Sequence, residues 1–205
     1  MPANLNLKYL VVIIISILIS LVIHEFMHAY AGYKLGDSTA KIEGRLSLNP
    51  LNHIDPMMTI ALPIVTILLF GAPILAAKPV PFDPRNVKYD EFGAAIIAAA
   101  GPLSNLALAI VAALVANAVG VAHPGLGSVL SVFIALNVAL FVFNLLPIPP
   151  LDGSRVLYAF APEPLQRFMV QIEPIGLFII FGLVLAGGLG GILVNLNHFV
   201  LNLLP

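Results

Sequence analysis

Val22-Ile23-His24-Glu25-Phe26-Met27-His28-Ala29-Tyr30 sets two imidazoles and a carboxylate at the end of an apolar run. From position 10 to 23 the only polar side chains are Ser16 and Ser20. On a helix, positions 24 and 28 stand one above the other and Glu25 lies beside them. Two imidazoles so placed can hold a metal ion, and a carboxylate next to them can reach its water. Ionisable groups inside a membrane span are costly and mark function. The stretch therefore points to a chain folded in a membrane, with its chemistry among the spans.

Composition agrees. The chain has 205 residues, 60% hydrophobic and 9% charged, with a mean hydropathy of +1.04. A soluble domain carries about 25% charged residues, so this is one polytopic membrane domain with little mass outside the bilayer. A formal charge of -1 offers no basic face and argues against nucleic acid as a partner. Zero cysteine removes disulfides and thiolate zinc sites together. Residues 1–20 look like a signal peptide in having Lys8 and an apolar stretch. The run leads into the histidine motif without an Ala-x-Ala type site, so it is expected to remain as a span.

Working outward, residues 7–33 are long enough to cross a hydrocarbon core of roughly 30 Å. Residues 34–56 alternate and carry turn residues, which suits a short interfacial β-hairpin. Residues 57–77 are apolar but interrupted by Pro63 and Gly71-Ala72-Pro73, a span or a re-entrant segment. The proline-rich connection from Lys78 reads as an extended loop. Residues 93–121 form a span rich in small residues, 128–153 a span ending in Leu-Asp-Gly, 162–173 a short interfacial helix, and 175–203 a last span. The expected fold is an all-α polytopic membrane protein with about four full transmembrane helices, one broken or re-entrant segment, a hairpin and an extended loop.

The path of 57–77 decides the topology. If it dips and returns, Lys34, Lys41, Arg45, Lys78, Arg85, Lys88, Arg155 and Arg167 share one face and only Lys8 lies opposite. That distribution, and the need for His24 to meet a ligand near residue 152, favour the re-entrant path with the site toward the cytoplasm.

A catalytic zinc takes three protein ligands and leaves a position for water. His24 and His28 supply two. Asp152, following Pro147, Pro149 and Pro150 and preceding Gly153, is the best third, with Glu163 and Glu173 further into polar sequence. The plainer reading of Asp152 is a helix cap. Glu25 would accept the water's proton and pass it to a leaving amine.

Three motifs in order carry a resemblance: His-Glu-Phe-Met-His at 24–28, Ala-Gly-Pro-Leu-Ser-Asn at 100–105 and Asn-Leu-Leu-Pro-Ile-Pro-Pro-Leu-Asp-Gly at 144–153. Together they resemble the core motifs of site-2 proteases, intramembrane zinc metalloproteases. The block from Gly44 to Pro56 and the Lys78-Pro79-Val80-Pro81 stretch look like the compact prokaryotic type, and the chain has no room for a PDZ or CBS domain. The resemblance implies one Zn2+ per chain held by His24, His28 and Asp152, Glu25 as base, and the amides of Asn105 and Asn144 near the metal, where one could steady the substrate backbone or oxyanion. It implies a transmembrane protein as substrate, the bilayer as surroundings and a prokaryotic inner membrane as location. The plainer reading of both asparagines is a bond to a neighbouring helix. His53, beside Asp55, reads as a local hydrogen-bonding residue. A non-enzymatic divalent-metal carrier using the same ligands is the competing class.

Overall fold

The computed structural model describes residues 7–53, 80–119 and 122–205. Its helices are α1 (Leu7–Lys34), α2 (Thr39–Ile42), α3 (Asp90–Val119), α4 (Pro124–Asn144), α5 (Asp152–Phe160), α6 (Glu163–Ile172), α7 (Gly176–Leu185) and α8 (Gly188–Leu203). Short 3-10 turns lie at Pro50–Asn52, Pro84–Asn86 and Glu173–Ile175. Among the described residues, four stretches are long and apolar enough to cross a membrane: α1, α3, α4 and Glu163–Leu185. The chain is a multi-pass membrane protein.

Burial in α1 is inverted relative to a soluble helix. Ser16, Ser20, His24 and His28, spaced by four, are buried, while Ile14, Ile15, Leu18 and Ile19 are exposed. That pattern satisfies polar groups inside the bundle and gives the apolar face to lipid. The facing surface of α3 is built from small residues, with Ala98, Gly101, Asn105, Ala109 and Ala112 buried. Small side chains let backbones approach closely, and α3 packs against α1, α4 and α5.

Behind this core, α4 packs on α8, and Ala109, Val138 and Val142 form a buried cluster flanked by Val200 and Leu201. Leu146 and Leu151 of the proline-rich loop are buried with Ile180 of α7 and Leu189 of α8. The last two helices thus fix the loop that delivers Asp152. The expected last span at 175–203 is divided, because α7 stops at Leu185 and α8 starts at Gly188. Helix α6, expected as a short interfacial helix, runs through the turn at Glu173–Ile175 into α7.

The expected β-hairpin at 34–56 is corrected: no strand occurs among the described residues. Local bonds capture the segment instead. Asp37 Oδ1 accepts from Thr39 N at 2.9 Å and from Thr39 Oγ1 at 2.5 Å, which starts α2 in place of a ladder. Gly44, at φ +73°, ends α2 as a left-handed cap: Arg45 N donates to Ala40 O at 2.8 Å and Gly44 N to Lys41 O at 3.1 Å. Gly44, one of the segment's turn residues, is a helix stop. Asn52 Nδ2 then donates to Gly44 O at 3.0 Å and buried Arg45 donates to Asn52 O, closing the loop through side chains. Expectations for 54–79, including the span or re-entrant piece at 57–77, lie outside the described residues. The flanks on either side meet, since Asp37 Oδ2 accepts from Asp83 N at 2.8 Å and Lys88 N donates to Leu35 O at 2.9 Å.

Candidate metal centre

The last turns of α1 carry His24, Glu25 and His28, all three buried, and both imidazoles meet α3. The two imidazoles meet edge to face, with ring centroids 4.6 Å apart and planes at 81°. Their Nε2 atoms are 3.0 Å apart. Asp152 Oδ2 completes a triangle, 3.2 Å from His24 Nε2 and 3.3 Å from His28 Nε2. A tetrahedral zinc with ligand distances of about 2.0–2.2 Å has ligand-to-ligand edges of about 3.3–3.6 Å. The three donor atoms, 3.0–3.3 Å from one another, form a triangle that reaches this size with a few tenths of an ångström of opening, and the donor set of two imidazoles and a carboxylate suits zinc.

Asp152 reaches the imidazoles because of how its loop folds. The cap of α5 is Leu151, with no side-chain cap bond, so Asp152 is the first helical residue and not the cap. It lies at the positive end of α5, which favours an anion. A Cβ on Gly153 would lie 2.2 Å from Leu145 O, so the turn closes on its own start there. Asp152 Oδ2 faces the Nε2 atoms of both His24 and His28. The side chain remains 23% exposed, against 5% and 9% for the histidines, so the site opens on the Asp152 side.

The other ring nitrogens are held from behind. His24 Nδ1 lies 2.6 Å from Asn105 Oδ1 and His28 Nδ1 lies 2.7 Å from Ile97 O. Both partners are acceptors, so each Nδ1 carries its proton and each Nε2 lone pair faces the triangle, the tautomer a metal ligand requires. Asn105 is fully buried. Its Nδ2 donates to Asn137 Oδ1 at 3.0 Å and to Ser20 O at 3.3 Å, and Asn137 Nδ2 donates to Phe133 O at 2.9 Å. Asn144 donates its amide to Leu140 O at 2.9 Å, and among the described residues no hydrogen bond joins it to the triangle.

Of the residues singled out in the sequence, His24, His28 and Asp152 come together, Glu25 lies beside them, and Asn105 backs His24. Glu163 and Glu173 do not join them: Glu163 pairs with Arg167 at 2.5 Å and Glu173 with Arg155. Three contributors went unread. A backbone carbonyl, that of Ile97, has no sequence signal. Asn137 does, as a polar residue within an apolar span. Gly101 stood in a quoted motif, but as a packing residue: a Cβ there would lie 2.3 Å from His28 Nε2 and 2.6 Å from His24 Nε2. Its hydrogen makes the room the two imidazoles need. Gly101→Ala is expected to leave the bundle folded but lower metal affinity at least tenfold, read as zinc retained per chain after dialysis; wild-type retention would contradict the reading.

Comparison with known proteins points the same way. The model described as Peptidase family M50 matches residues 12–187. Three relatives bear the name "Putative zinc metalloprotease". YwhC of Bacillus subtilis is 39% identical over 82% of this chain and 77% of its own. Rip2 of Mycolicibacterium smegmatis is 32% identical over 87% of this chain and 68% of its own. MJ0611 of Methanocaldococcus jannaschii is 30% identical over 82% of this chain and 84% of its own. No solved structure matches the chain.

Proposed function

The chain belongs to peptidase family M50, the site-2 proteases, and from that premise we propose that His24, His28 and Asp152 hold its zinc and that Glu25 is its general base. The protein is a zinc-dependent intramembrane endopeptidase acting on membrane proteins. The observation carrying the assignment of residues is the triangle of His24 Nε2, His28 Nε2 and Asp152 Oδ2, built from segments 128 positions apart beside a buried carboxylate.

When bound, zinc supplies a Lewis acid that polarises the scissile carbonyl and acidifies water. The chain's own residues do the rest. Glu25, one position from His24 and within electrostatic reach of His24, His28 and Asp152, takes the water's proton and delivers it to the leaving amide nitrogen. Asn105 acts through His24, fixing its ring and tautomer, and not on substrate. Asn144, half-buried with one amide proton committed to Leu140 O, keeps a second as a donor for the developing oxyanion. A helical substrate hides its peptide bonds and unwinds before it is cut. Reconstituted with a transmembrane peptide, the protein should cleave, stop on chelation and resume with zinc; cleavage undiminished by chelator would contradict the assignment.

The proposed setting is a prokaryotic inner membrane with the site toward the cytoplasm. Lys34, Lys41, Arg45, Arg85, Lys88 and Arg155 follow or precede the spans at the end that carries the site, Arg167 lies near the start of Glu163–Leu185, and Lys8 lies at the other end of α1. The cysteine-free chain makes this simple to check. Single cysteines at Ser38 and Asn86, both exposed, should both react with an impermeant thiol reagent from the cytoplasmic face. Labelling from opposite faces would sink the topology.

A further inference from the structure

Among the described residues, one buried side-chain nitrogen or oxygen has no hydrogen-bond partner: Nδ1 of His53. The ring is only 4% exposed. His53 ends the turn at Pro50–Asn52, its N–H bonded to Pro50 O at 3.0 Å, and that turn packs against α1. Its position is fixed from within the loop. Arg45 donates to Asn52 O, Asn52 Nδ2 to Gly44 O, and Leu51 N to Asn49 Oδ1 at 3.1 Å.

The chemistry of the unpaired atom follows from the paired one. His53 Nε2 lies 2.7 Å from Ser47 O. A carbonyl only accepts, so Nε2 carries the proton, and Nδ1 of the neutral ring is a bare acceptor. Leaving an acceptor buried and unmet destabilises a fold, so a built position of this kind signals a donor that arrives from outside. His53 is within electrostatic reach of Glu25, and the turn it ends packs against α1, the helix that carries Glu25. The arriving molecule, on the protease reading above, is a transmembrane segment. Its side chains are apolar and offer few donors. Once unwound, its backbone N–H groups lose their helical partners with no bulk water to replace them.

We propose that His53 is a substrate-contacting residue, its Nδ1 accepting a backbone N–H of the unwound substrate next to the scissile bond. The sequence reading of His53 as a local hydrogen-bonding residue covers only its Nε2 side. This inference rests on the peptidase assignment, and the test separates the two.

His53→Gln keeps an amide N–H able to reach Ser47 O but offers no acceptor where Nδ1 was; His53→Asn offers a polar atom near Nδ1 and gives up the Ser47 bond. The wild type and both variants are reconstituted in vesicles with a transmembrane peptide, and with versions in which single backbone N–H groups flanking the cleaved bond are replaced by ester oxygen. Wild-type cleavage of the all-amide peptide establishes the peptidase independently. For His53→Gln, zinc content and thermal midpoint should be unchanged while kcat/KM falls about 10- to 100-fold. One ester position should cost the wild type about tenfold and His53→Gln nothing further, with His53→Asn intermediate. Wild-type rates in His53→Gln, or ester penalties equal in the wild type and the variant, would overturn the proposal. Should His53→Gln lose zinc, the ester scan on the wild type decides: no position-specific penalty would equally overturn it.

Discussion

Glu25→Gln should lower cleavage of a transmembrane peptide by about 10²- to 10⁴-fold, the usual contribution of a general base, while each chain still holds its zinc. The side chain keeps its length and its place beside His24, and the three donor atoms at 3.0, 3.2 and 3.3 Å from one another are untouched. What is lost is the ability to take a proton from water. The paired measurement is single-turnover cleavage together with metal content on the same preparation. A metal carrier built on the same ligands would keep moving metal in this variant, because transport needs no base. Near wild-type cleavage would remove Glu25 from the chemistry.

Asp152→Ala should have a different signature, losing metal and activity together. Apparent binding energies for structural zinc sites run to about 10–16 kcal/mol. Losing one protein ligand of three therefore costs roughly 3–5 kcal/mol, a weakening of about 10²- to 10⁴-fold. The fold should survive, because Leu151 and not Asp152 caps α5, and the loop is held by the packing of Leu146 and Leu151 on Ile180 and Leu189. Titration with a competing chelator measures the affinity, and the far-ultraviolet helical signal reports the fold. Retained zinc affinity would mean that the third ligand lies elsewhere.

The two variants probe the part of the protein most legible in its sequence. Spacing of four on a helix and the cost of burying imidazoles in an apolar run were enough to read His24 and His28, and the broken helix before Asp152 was enough to nominate it. What could not be read was the packing between helices. Gly101 looked like any small residue in a span until the His24 and His28 nitrogens were found where its Cβ would be. The Ile97 carbonyl that fixes His28 is a backbone atom, invisible to residue patterns. The misreading of residues 34–56 came from the other side of the same difficulty. Polar alternation with turn residues fits a hairpin, but Asp37 and Gly44 are also a helix start and stop, and among the described residues the short local bonds meet no strand that competes for them. Asn105 was placed near the metal by motif alone, and its geometry makes it a support for His24.

Cleavage of a transmembrane peptide in H2-18O, with the products mapped by mass spectrometry, addresses the central claim most directly. The protein should release two fragments cut inside the apolar segment, with one 18O in the new carboxyl terminus, only when zinc is present and only while Glu25 is intact. Cuts confined to the polar flanks, or fragments produced equally by zinc-free protein, would contradict a site-2 type peptidase working through His24, Glu25, His28 and Asp152.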